Sequence, residues 1–193
     1  ACIVNATLSL NILLDGYYVL GSSPAEMRAA RYTNLAESGS STPGAVTDVD
    51  VITVELRSAA NLNAVAYSVS PILQTNGSVQ CVFPASAIGG SYYVVVKHRS
   101  ANPLWSASPI AITASTALNF ATNAIISYSD ESPTSQFYVS PVHGIASGLY
   151  GMWLGELNND EFLDSQDFPS FYADEYSSSY LGTYMLDGDL NGD

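Results

Sequence analysis

Between Val49 and Ser58 the run VDVITVELRS alternates without a break, placing Val51, Thr53, Glu55 and Arg57 on one face and Ile52, Val54 and Leu56 on the other. That period of two predicts a strand with one buried face. The run ATLSLNILLDGYYVL from Ala6 to Leu20 alternates well enough to predict a strand with a break near Asp15-Gly16. Glu26 to Leu35 reads as a second strand or a short helix, and ESGSSTPGAVTD from Glu37 to Asp48 is a loop by composition. Further strands are predicted at Ala64 to Ser70 and at Ser78 to Phe83, the latter entered through an Asn76-Gly77 turn. SYYVVVKH, Ser91 to His98, is the most β-prone run, and Ile110 to Thr113 and Leu118 to Ala121 complete the set. Short strands separated by Gly, Pro and Asn turns, with no long 3.6-residue period, predict a mainly β chain folded as a sandwich over 1–122. Residues 123–148 are polar with two prolines and read as a linker or peripheral strands. From 149 to 193 the character changes to an aromatic-rich run leading into an acidic segment.

Composition sharpens this picture. Of 193 residues 47% are hydrophobic, too many for a disordered chain, while only 12% are charged, so Ser, Thr, Asn and Gly must cover much of the surface. The net charge of −13 is unevenly placed: five basic and six acidic residues precede Asp130, and twelve acidic residues with no Lys or Arg follow from there to Asp193. Such a segment is either a solvated tail or a collector of cations. Nucleic acid is excluded as a partner because phosphate binding needs a basic surface. The long uncharged stretches, Ser58 to Val96 and Ser100 to Ser129, are broken by Pro, Asn, Ser and Thr, which excludes a helical membrane span. Ala1 in place of Met reads as a processed or excised chain. Cys2 and Cys81 have no metal-ligand spacing around them; in an exported chain they pair as a disulfide, and otherwise they are two buried thiols.

The acidic segment carries the chemistry. ELNNDEFLDSQD places Glu156, Asn158, Asp160, Asp164 and Asp167 at positions 1, 3, 5, 9 and 12 of a calcium loop, with the Phe162 carbonyl at position 7. Calcium takes six to eight hard oxygens, so it can hold together carboxylates that otherwise repel. Phe168, Phe171 and Tyr172 follow at helical spacing. Position 1 is Glu rather than Asp, and position 6 is Glu161 where Gly is usual. DLNGD at the end repeats the 1, 3, 5 pattern with Asp189, Asn191 and Asp193. The alternative is a solvated acidic helix-turn.

Taken together, LSLNILLDGYY, DVDVITVELRSA, YYVVVKHRSANPLWSASPI and GLYGMWLGELNNDEFLDSQDFPSFYAD leading to DLNGD span most of the chain. The combination resembles the C-terminal module of secreted surface proteins of Bacteroidota, cargo of the type IX secretion system. The resemblance implies an Ig-like β-sandwich followed by a small EF-hand-like, dockerin-like segment. It also implies calcium ligands at Glu156, Asn158, Asp160, Asp164, Asp167, Asp189, Asn191 and Asp193.

Other chemistry is poorly supported. Lys97, His98 and Arg99 form the one basic cluster, but neither a G-x-S-x-G elbow nor an H-E-x-x-H motif accompanies it, so His98 is expected to be structural. His143 sits between Val142 and Gly144 without ligand spacing. A carboxylate pair for glycoside hydrolysis would have to reuse calcium ligands. Trp105, Trp153 and thirteen tyrosines offer stacking faces for sugars, although such residues more often belong to cores and interfaces. The sequence is therefore read as a non-catalytic, calcium-stabilised extracellular or cell-surface module with structural or adhesive work. Its partners are expected to be other surface or secreted proteins. The alternatives are a subunit that assembles with itself into an extracellular fibre and a module that binds polysaccharide.

Overall fold

The computed structural model describes residues 4–37, 41, 44–122, 142–157 and 165–167. The strands, in chain order, are β1 (Ala6–Asn11), β2 (Asp48–Val51), β3 (Thr53–Ser58), β4 (Asn61–Val69), β5 (Ile72–Gln74), β6 (Ser78–Phe83), β7 (Ser91–His98), β8 (Ala101–Trp105), β9 (Ile110–Ala111), β10 (Ser115–Asn119), β11 (Val142–Ala146) and β12 (Leu149–Met152). A helix α1 (Ala30–Glu37) and two 3-10 turns, at Asp15–Tyr17 and Ala85–Ala87, interrupt them. The chain is thus mainly β, as the alternation predicts.

Two sheets face each other. One has the order β10-β1-β6 and the other β4-β3-β7-β8, with β9 paired to β7. Inward positions of the first, Leu8, Leu10, Val79, Cys81 and Phe83, meet those of the second, Val54, Leu56, Val94, Val96 and Leu104, and all are buried in one core. Period-two alternation makes this possible, because each strand offers every second side chain to the same side. Full burial of a side chain such as Leu56 contributes about 1.5–3 kcal/mol relative to exposure. β1 runs antiparallel to β6, with Leu8 opposite Cys81, and parallel to β10, with Leu8 opposite Thr116.

The expected strand at Val49 to Ser58 is divided at Ile52, whose N–H leaves the ladder for the carbonyl of Pro71 at 3.0 Å. β2 before this point pairs with β5, and β3 after it pairs with β4 and β7. The expected strand from Ala6 to Leu20 stops at Asn11. Ile12, Leu13 and Leu14 are all buried, so the alternation ends where the chain dives through the core. The Ile12 N–H goes to the Gly77 carbonyl at 2.8 Å, and the Leu13 carbonyl accepts the Met152 N–H at 2.8 Å. Of the two options for Glu26 to Leu35, the helix forms, over Ala30–Glu37. The strand expected at Leu118 to Ala121 lies earlier, at Ser115–Asn119, because Asn119 Oδ1 caps the Ala121 and Thr122 N–H groups and ends it.

Trp105 closes β8, which Pro103 interrupts only at the sheet's edge. β8 is the last strand of its sheet, and its register with β7 is irregular between the Val96–Leu104 and His98–Ala101 pairs. Proline is tolerated at such an edge because its missing N–H interrupts no central ladder. β11 and β12 form a separate two-stranded ladder. β12 lies against the sandwich: Tyr150 donates to the Ala121 carbonyl at 2.8 Å, Met152 bridges to Leu14, and Met152 is fully buried in the common core.

Candidate functional site

Two polar clusters lie side by side at one end of the sandwich. The first is built on β2 and the turn between β7 and β8. Asp48, Val49 and Asp50 of β2 are all buried, and Asp50 is 5% exposed. A buried carboxylate costs several kcal/mol unless it is paired and hydrogen-bonded. The partners come from the end of β7: His98 Nε2 lies 2.8 Å from Asp50 Oδ2, and Arg99 Nε donates to the same oxygen at 3.0 Å. Asp50 Oδ1 accepts the Val51 N–H at 2.6 Å. Arg99 Nη2 continues to the Tyr17 hydroxyl at 2.7 Å, and the Tyr17 and His98 rings meet edge to face at 5.9 Å.

Burial pushes the Asp50 carboxyl upward, but the hydrogen bond from His98, the electrostatic pull of the His98 and Arg99 side chains and the Val51 N–H outweigh it and hold the group below its ordinary value. On the far side of the imidazole, Nδ1 faces the Ser100 N–H at 3.3 Å and the Ser100 hydroxyl at 3.2 Å. With Nδ1 accepting from a backbone donor, Nε2 carries the proton given to Asp50.

Ser100, His98 and Asp50 thus stand in the order of a nucleophile, a base and an orienting acid. They do not form such a site. Ser100 is fully buried, so no substrate carbonyl can approach its hydroxyl, and the lone pair that would take its proton is already shared with its own N–H. The expectation of a structural His98 matches this placement.

The second cluster is the root of the acidic loop. Ala101 bridges to Leu154, and Gly155 donates its N–H to the Ser100 carbonyl at 2.7 Å. Gly155 has φ +114°, a conformation that L side chains resist, so the chain turns sharply there. Glu156 follows and is 3% exposed; Asp167, which stands eleven residues further on, is 5% exposed. Asp167 Oδ1 accepts the Leu157 N–H at 2.6 Å, which ties the twelfth position of the expected calcium loop to the second.

Of the other expected ligands, Asn158, Asp160, Phe162, Asp164, Asp189, Asn191 and Asp193 lie outside the described residues, as does Cys2. Among the described residues no group of three or more His, Cys, Asp or Glu is arranged to hold a metal. Glu156 and Asp167 are buried carboxylates, hard oxygen donors of the kind calcium takes. Cys81 is a free, buried thiol on β6, and burial pushes it up to about 12. Among the described residues no helix is long and apolar enough to cross a membrane.

Sequence reasoning missed the Asp50–His98–Arg99 cluster. The signal was present: Asp50 occupies the apolar parity of a strand whose next three inward residues are Ile52, Val54 and Leu56, and such a carboxylate demands a buried cationic or hydrogen-bonding partner.

No protein-family model matches the chain, and no curated protein matches it. Two solved structures do, both type II cohesin–X–dockerin complexes from Acetivibrio cellulolyticus. One carries a C-terminal and the other an N-terminal interface mutation. They are 16% and 15% identical, each with a TM-score of 0.43 over 97% of this chain and 85% of the other. A likeness of that degree is too weak to assign a fold or an activity.

Proposed function

We propose that this chain is a non-catalytic, calcium-stabilised extracellular module, doing structural or adhesive work within a larger secreted surface protein. The observation that carries the reading is the closure of the acidic loop: Glu156 and Asp167, its first and twelfth residues, are both buried, and Asp167 accepts the Leu157 N–H at 2.6 Å. A segment with twelve acids and no Lys or Arg gains by folding around a divalent cation, which offsets the mutual repulsion of its carboxylates. The ligands in this reading are Glu156, Asn158, Asp160, the Phe162 carbonyl, Asp164 and Asp167. Asp189, Asn191 and Asp193 begin a second loop of the same kind. The resemblance to the C-terminal modules of type IX secretion cargo supports the same reading and suggests protein partners at the cell surface.

The test is a thermal melt in calcium and in chelator, with light scattering on the same samples. The proposal expects a melt several degrees higher in calcium, and loss of that increment in the Asp160→Ala, Asp164→Ala double variant. Identical melts would remove the calcium reading. Calcium-dependent scattering would favour self-assembly over attachment to another protein.

A further inference from the structure

The two sheets differ in how their edges are guarded. In β4-β3-β7-β8, β8 carries Pro103 and is bridged at Ala101 by Leu154, and β4 shifts register twice against β3. Prolines, covering segments and bulges are the usual means of keeping a sheet edge from pairing with other chains. The sheet β10-β1-β6 has none of them at either edge: SVQCVF and STALN contain no proline and no charged residue, and both keep an unshifted register with β1. Among the described residues no further strand pairs with β6 or β10.

The phase of the ladders says which backbone groups face outward. Ile12 donates its N–H to the Gly77 carbonyl at 2.8 Å, and bonded pairs recur at every second residue, so Val79, Cys81 and Phe83 turn to β1 while Gln80 and Val82 turn away. On the other side Thr7 donates to the Ala114 carbonyl at 3.1 Å and Phe120 donates to the Asn11 carbonyl at 2.8 Å. Thr116 and Leu118 therefore turn to β1, and Ala117 and Asn119 turn away. Gln80, Val82, Ala117 and Asn119 are all exposed. The neighbouring outward groups, the Ser78 N–H and the Ser115 carbonyl, are already taken by the side chains of Asn76 and Thr113.

We propose that these edges are the two halves of one contact, in which β6 of one copy of the chain pairs with β10 of the next. β6 runs antiparallel to β1 and β10 parallel to it, so a second copy set beside the first in the same orientation brings its β10 antiparallel to β6. Gln80 then meets Asn119 of the second copy and Val82 meets its Ala117, each pair exchanging both N–H···O bonds, and Ala117 covers the half-exposed Val82. The occupant is a second copy because the edges match in direction, spacing and polarity. They also lie in the two long uncharged stretches, where a chain of net charge −13 can approach itself without bringing like charges together. The contact is head to tail and does not close on itself, so it continues into an open row. Both strands are short, so association is weak and rises with concentration; salt, which screens the remaining repulsion, strengthens it. None of this depends on calcium.

The experiment is sedimentation velocity on the full chain in chelator, over a concentration series at low and high salt. Gln80→Pro and Ala117→Pro each remove one outward N–H and no bond to β1, and melts check that both fold. The parent is expected to form a ladder of oligomers that lengthens with concentration and salt. Each proline variant alone should stay monomeric, while their equimolar mixture, which retains one good β6 and one good β10, should form dimers and nothing larger. Should a proline variant fail to fold, the exposed pair Val82→Glu, Ala117→Glu takes its place: it should abolish association, and Val82→Lys with Ala117→Glu should restore it. A parent that stays monomeric at high salt, or oligomers that need calcium, would overturn the inference. So would dimers of Ala117→Pro alone, which would mean that β6 pairs with itself, and so would association that survives every variant.

Discussion

His98 Nε2 and Asp50 Oδ2 are 2.8 Å apart across 48 residues of sequence, and both side chains are withdrawn from water. The contact ties the end of β7 to β2, which reaches β7's sheet only through the break at Ile52. With Arg99 Nε on the same oxygen, the carboxylate is shared by two cationic or proton-donating neighbours from one short turn.

Removing the charge while keeping the shape should be costly. Asp50→Asn leaves Arg99 beside a neutral amide, and breaking a buried pair in this way is expected to lower stability by about 3 kcal/mol. Urea unfolding followed by tryptophan fluorescence checks it; a midpoint equal to the parent's would show that the pair contributes nothing net.

The same carboxylate gives a pH dependence of known sign. Its folded-state value lies below the ordinary 3.8, so around that pH the unfolded chain binds more protons than the folded one. The contribution of Asp50 is present in full above the ordinary value and is lost as pH falls through the lower, folded one. Urea midpoints measured between about pH 5 and 2 should fall more steeply in the parent than in Asp50→Asn. Parallel curves would contradict this.

Gly77 follows Asn76 in the turn before β6 with φ +79°, and a Cβ built there would stand 2.8 Å from the Ile12 carbonyl oxygen, backbone that cannot move aside cheaply. Ile12 N–H is bonded to the Gly77 carbonyl, so any relief would break that bond. Gly77→Ala should destabilise the fold by about 1–3 kcal/mol, read as a lower melting temperature.

Cys81 should be chemically silent in the folded protein. Its thiol is buried and pushed up to about 12, so the reactive thiolate is scarce at pH 8. In a Cys2→Ala background, an aromatic disulfide reagent should label the chain only after denaturant is added. Rapid labelling without denaturant would mean that β6 opens readily.

Ser78–Phe83 was legible to the residue because it alternates cleanly, and Ser91–His98 because it is an unbroken run of aromatic and β-branched residues between Gly90 and the Arg99 turn. β5 and β8 were not. β5 is three residues long, and Pro103 inside β8 signals a break unless the strand is known to lie at an edge. The buried ion cluster joins residues far apart in sequence, which no local pattern can pair; only the parity of Asp50 hinted at it. The ligand spacing of the acidic segment is a reading of the sequence alone; the structure adds that Gly155, just before it, donates to the Ser100 carbonyl and that Asp167 accepts the Leu157 N–H.

Among the described residues β1 is the first strand, and it is the middle strand of its sheet, held between β6 and β10. Neither neighbour exists until the chain has been extended through Ser78 and then Ser115. A chain that emerges N-terminus first therefore carries an open strand with two unfilled edges until more than half its length is available. Closing long loops in this way slows folding and lengthens the time during which such edges can pair with strangers.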